Sequence, residues 1–194
     1  MPGAMTSRAV VGWTGAWLAV ALAVGASGVM RHARPPMPQL VLAALTAALI
    51  AALWIVPTLR RWARGVDLRA LVLVHVTRFV GIYFLVLYGR GELPWAFAVP
   101  GGWGDIAVAA TAALVAALAR PDRPGGRGVI LAWNVFGFAD ILLVVATAAR
   151  LAIADPDSMN ALLRLPLSLL LTFLVPIIIA THVLIFWRLL ARSR

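Results

Sequence analysis

The chain has 194 residues, 63% of them apolar and only 12% charged, with a mean hydropathy of +0.96. That balance lies outside the range of soluble globular domains and implies a protein solvated by lipid. The net charge of +10 rests on Arg alone, since the chain has no Lys, and there is no Cys. These absences exclude a lysine Schiff base, disulfides, thiolate metal sites and iron–sulfur clusters. Arg clusters beside apolar runs are what the positive-inside rule produces, so no nucleic-acid partner is expected.

Six apolar stretches follow one another: 10–29, 39–56, 70–88, 103–119, 129–153 and 165–190. Each is long enough for a hydrocarbon core of about 30 Å, which takes roughly 20 helical residues at a rise of 1.5 Å each. The expected fold is all-α: one polytopic transmembrane domain over 1–194, a bundle of six transmembrane helices. The first span also carries marks of a secretory signal, with Arg8, an apolar run and the small residues of 23–28. Its length exceeds that of a signal's apolar core and favours a retained helix.

Orientation follows from the Arg residues. Arg60, Arg61, Arg64 and Arg69 separate spans two and three, Arg120, Arg123 and Arg127 separate spans four and five, and Arg188, Arg192 and Arg194 follow span six. Arg8 falls on the same side. The opposite side holds Arg31, Arg34, Arg90, Arg150 and Arg164, offset by Glu92, Asp155 and Asp157. This bias places both termini of a multi-pass protein in the cytoplasm. The basic loops are expected to attract anionic lipids, at about 1 kcal/mol per nearby Arg.

Two connections differ in character. The one with Pro121, Pro124, Gly125 and Gly126 reads as a turn that keeps its flanking helices separate. The other, 89–104 (GRGELPWAFAVPGGWG), is rich in helix breakers yet apolar, and is expected as a non-helical segment. It either lies at the interface with its aromatics at headgroup level, the favoured reading, or re-enters the bundle. No internal repeat relates the first three spans to the last three, so the matched broken helices of many transporters are missing.

The polar residues inside the spans carry the functional argument, because ionisable groups there are costly and point to function. His75 lies six residues from Arg69, His182 six from Arg188 and Asn134 seven from Arg127. At 1.5 Å per residue these share a depth of about 9–10 Å and form one candidate layer. Arg78 shares the face of His75 through the i, i+3 relation, while Asn134, Gly137 and Asp140 make a stripe on span five. Arg78 is expected to pair with Asp140, taken as the only carboxylate in mid-span. Asp105 is placed nearer the outer face, at the start of span four, where a carboxylate suits the helix dipole. Pro176 cannot donate to the Thr172 carbonyl and is expected to kink span six and leave that acceptor free.

The stretches FVGIYFLVLYGRGELPWAFAVPGGWGD (79–105) and WNVFGFAD (133–140) resemble uncharacterised bacterial membrane proteins. The resemblance implies a protein of a bacterial inner membrane and no activity.

Three function classes compete. The leading one is a small transporter or proton-linked permeation protein in which Asp105, Asp140 with Arg78, and then His75 and His182 form polar stations. Arg78 would best suit an anionic or zwitterionic substrate. The second is a b-type haem protein with His75 and His182 as axial ligands, since bis-imidazole ligation needs two histidines at matched depth. The third is a structural or assembly subunit that binds a partner subunit or forms a homo-oligomer. No catalytic motif is present: zinc catalysis generally takes three protein ligands, and there is no G-x-S-x-G elbow.

Overall fold

A computed structural model describes residues 7–120 and 125–191, which are helical with no strand among them. Pro121, Arg123, Pro124, Arg192 and Arg194 lie outside the described residues. Six helical segments are long and apolar enough to cross a membrane: Arg8–Ala26, Met37–Ile55, Leu68–Gly89, Trp95–Leu118, Gly126–Ala154 and Leu170–Leu190. The chain divides into two compact units, Met1–Val66 with Asn160–Ala180, and Asp67–Met159 with Thr181–Arg194.

The first unit contains α1 (Ser7–Ala26), α2 (Met37–Ile55) and the short α3 (Pro57–Gly65). Pro57 breaks the hydrogen-bond ladder after Ile55, and Val56 adopts extended backbone between the two helices. The same unit holds a single wide π turn, Leu170–Leu174, which precedes Pro176. The Thr172 carbonyl is not left free, as the sequence suggests: it accepts the Trp17 indole N–H at 2.9 Å, and the Phe173 ring meets Trp17 edge-on at 5.1 Å. The π turn and the indole together absorb the donor that Pro176 lacks.

The second unit is built around one long helix. Its first span runs through α4 (Leu68–Leu73), a 3-10 stretch (Val74–Val80) and α5 (Gly81–Gly89). Asp67 caps α4 through the Arg69 N–H at 2.9 Å. The 3-10 stretch eclipses side chains three apart, which aligns His75 with Arg78.

The next helix, α6 (Trp95–Leu118), corrects the reading of 89–104 as non-helical. Only 90–94 connect; Pro94 is the N-cap and Pro100 sits inside the helix. The glycines of 101–104 are contact points rather than breakers. A Cβ on Gly102 would come within 2.9 Å of the Gly81 carbonyl and 3.0 Å of Leu85, and one on Gly81 within 2.8 Å of Asp105 Cβ and against the Gly102 carbonyl. Small residues thereby let α5 and α6 approach backbone to backbone, as apolar helices do when hydrophobic burial cannot drive packing.

On its other side α6 meets α7 (Gly126–Ala154), and the last helix, α8 (Val175–Leu190), contributes its second half from Thr181 onward to this unit. Two Arg residues close helix ends. Arg69 donates to the Ala116 and Ala117 carbonyls at 2.7 and 3.0 Å, and Arg127 to the Leu189 carbonyl at 2.7 Å. Cations there complement both the unpaired carbonyls and the negative end of the helix dipole.

Candidate functional site

Arg78 lies near the middle of its span and is 1% exposed. Its Nε donates to Asp105 Oδ1 at 2.6 Å, its Nη1 to the Gly137 carbonyl at 2.9 Å and its Nη2 to Asp140 Oδ2. One guanidinium thus joins α6 and α7 by two ion pairs and a backbone bond, a fork geometry that Lys cannot supply. Asp105 is as buried as its partner, whereas Asp140 is partly exposed. The Asp140 carboxylate rests against Gly104, where a Cβ would collide with its Oδ1.

This arrangement corrects two expectations. Asp105 is not a carboxylate at a helix start; because α6 begins at Trp95, it falls near mid-helix and becomes a second partner of Arg78. Nor does Arg78 present an open edge to an anionic substrate, since all three of its nitrogens already face acceptors of the protein. With every group ionised, two carboxylates against one guanidinium leave the cluster one negative charge in excess (+1 − 2 = −1). It suits a cation or a proton, and an anion would double the imbalance.

The imidazoles form a second cluster. His75 and His182 are both fully buried, and their rings lie 4.1 Å apart, tilted by 44°. His75 Nε2 is 3.2 Å from the Thr181 hydroxyl, and His182 Nδ1 is 2.8 Å from Asn134 Oδ1. Asn134 also donates from Nδ2 to the His182 carbonyl at 3.1 Å. Trp133 stands edge-on to His75 at 5.1 Å, and Phe138 meets His182 at 5.6 Å. Gly137 joins the two clusters: its carbonyl accepts from Arg78, and a Cβ on it would come 2.9 Å from His182 Cε1.

A haem between the two histidines requires their nitrogens to face each other through the plane of the macrocycle. Here the ring centroids are 4.1 Å apart, so the rings touch and leave no room for a macrocycle between them. The residues do not fit that cofactor. Among the described residues no group of three or more His, Cys, Asp or Glu is placed to hold a metal ion.

All six residues singled out from the sequence, His75, Arg78, Asp105, Asn134, Asp140 and His182, fall in the second unit and contribute to these two adjoining clusters. Sequence reasoning missed Trp133, Thr181 and the role of Gly104. For Gly137 the signal was present in the polar stripe of α7.

Helical segments of spanning length around paired buried charges define an all-helical protein of membrane-like composition. The chain belongs to the family described as Domain of unknown function (DUF8737), whose model matches residues 35–190 and so includes every member of both clusters. No curated protein and no solved structure matches it.

Proposed function

We propose that this chain is a proton-linked permeation protein that crosses the bilayer six times with its Arg-rich ends on the cytoplasmic side, and that Asp140 is its exchangeable group. The observation that carries this reading is the unequal charge of the Arg78–Asp105–Asp140 cluster in an apolar bundle. Uncompensated charge in such surroundings costs several kcal/mol, so the excess is neutralised by a proton or a small cation. Asp105 and Arg78 are enclosed and form the fixed part of the cluster, while Asp140 is the member with access to its surface. Proton uptake at Asp140 leaves Arg78 paired with Asp105; proton release restores the fork. The cluster therefore has two charge states with the same helix contacts, a suitable basis for exchange.

The test is proton flux in liposomes containing the purified chain. The wild type is expected to dissipate an imposed pH gradient faster than empty liposomes, and Asp140→Asn to return the rate to that of empty liposomes while eluting as a folded species. Equal flux from wild type and Asp140→Asn overturns the proposal.

A further inference from the structure

The carboxylate cluster alone leaves the imidazole pair without a task, and the pair has an unusual feature. Asn134 is fixed in orientation, because only its Nδ2 can donate to the His182 carbonyl. Its Oδ1 therefore faces His182 Nδ1 and, as an amide oxygen, can only accept. Nδ1 thus carries the hydrogen of the neutral ring, and Nε2 carries a lone pair. That Nε2 is buried and makes no hydrogen bond of normal geometry among the described residues, with the Gly137 backbone beside the ring, and Nδ1 of His75, whose ring touches that of His182, is likewise unpartnered. Buried polar atoms are rarely left unpaired, and those that are call for an explanation. Around them stand the rings of Trp133 and Phe138, and beside them Gly137, which lies against His182 and accepts from the guanidinium of Arg78.

The ligand chemistry follows from the two clusters taken together. The carboxylates admit a cation and oppose an anion. The imidazole pair offers an acceptor, so its ligand must bring an N–H or O–H donor. It must also be small, because the rings are in contact and Gly137 stands within 2.9 Å of His182 once a single Cβ is added. An amine is the class that is a cation in water and a neutral hydrogen-bond donor after losing one proton.

We propose that the His75–His182 pair is a subsite for ammonia or a small primary amine in its uncharged form, taken up as its cation at Asp140. In the transfer an N–H bond of the ammonium group breaks, and its proton forms an O–H bond on the Asp140 carboxylate. The electron pair stays on the amine nitrogen, and the cluster passes from one excess negative charge to none. The neutral amine then donates an N–H to His182 Nε2. Asn134 is the positioning residue, since it keeps that nitrogen unprotonated. This inference rests on the exchange of a proton at Asp140 proposed above.

Methylammonium serves as the probe, and two measurements test the subsite. In histidine-15N-labelled protein in lipid nanodiscs, methylammonium is expected to shift the His182 Nε2 resonance saturably and leave Nδ1 in place. In liposomes, the wild type is expected to take up methylammonium, and His182→Gln to slow that uptake by about tenfold, the loss of one net hydrogen bond. Proton flux from the wild type with an Nε2 resonance that ignores methylammonium overturns the subsite and leaves the proton reading standing. Wild-type liposomes that pass neither protons nor methylammonium overturn both. The resonance measurement needs no variant, so it decides the matter even where His182→Gln does not fold.

Discussion

The two units bury polar groups in different ways. In the first, the buried polar groups are neutral: the Trp17 indole meets the Thr172 carbonyl and the Thr172 hydroxyl meets the Ser168 carbonyl at 2.9 Å, while Gln39 Oε1 and the hydroxyls of Thr46 and Ser168 have no partner among the described residues. In the second, three charged side chains of unequal sum adjoin two imidazoles across one glycine. A neutral donor and acceptor leave nothing to exchange once paired. A cluster with surplus charge has a second state built in, and the difference separates polar groups that brace helices from those that can work.

Breaking the charged cluster gives the largest effect expected. Arg78→Leu leaves two carboxylates facing each other without a counter-ion, and removing one partner of a buried pair costs about 3–5 kcal/mol. Thermal unfolding in mild detergent should show a large loss of stability or no recoverable folded protein; a variant as stable as the wild type would mean that the fork does not hold α6 and α7.

A smaller effect is expected from the close approach of α5 and α6. Gly81→Ala drives a Cβ against the Gly102 backbone and within 2.8 Å of Asp105, with an overpacking cost of about 1–3 kcal/mol. In the first unit Gly12 has nothing within 4 Å of its added Cβ, so Gly12→Ala should gain about 0.5–1 kcal/mol through helix propensity. Unfolding measurements that rank these two glycines in reverse would contradict the packing described for α5 and α6.

The smallest effect belongs to the neutral pairing. Trp17→Phe keeps an aromatic ring but removes the donor to Thr172, which is expected to cost about 1 kcal/mol. Proton flux should be unchanged, because this bond lies in the unit that carries none of the charge cluster. Flux that falls along with stability would erase the distinction between the units.

How much of this was legible in the sequence depends on whether the signal was local. Hydropathy located all six segments, and ends shifted by a few residues are expected where turns fray. Depth along each span put His75, Asn134 and His182 at one level and Arg78 beside Asp140, because helical rise is a constant. The start of α6 is not legible: Pro94, Pro100 and the glycines of 101–104 read as breakers, whereas Pro94 caps the helix and the glycines admit its neighbours. That pattern sets Asp105 toward a helix end and hides the second partner of Arg78. Trp17 was beyond reach, since its partner lies 155 residues away and no periodicity links an indole N–H to the carbonyl that a proline leaves without a donor. The ring contact of His75 with His182 likewise depends on how helices rotate about their axes, which spacing alone leaves undetermined.

The central claim, that one proton exchanges on the Arg78–Asp105–Asp140 cluster, is tested most directly by infrared difference spectroscopy of the lipid-embedded protein across a change of pH. The account predicts a carboxylic acid C=O band corresponding to about one proton per chain, the one charge by which two carboxylates outnumber one guanidinium, that disappears in Asp140→Asn. A wild-type spectrum with no such band, or a band that survives unchanged in Asp140→Asn, would contradict it.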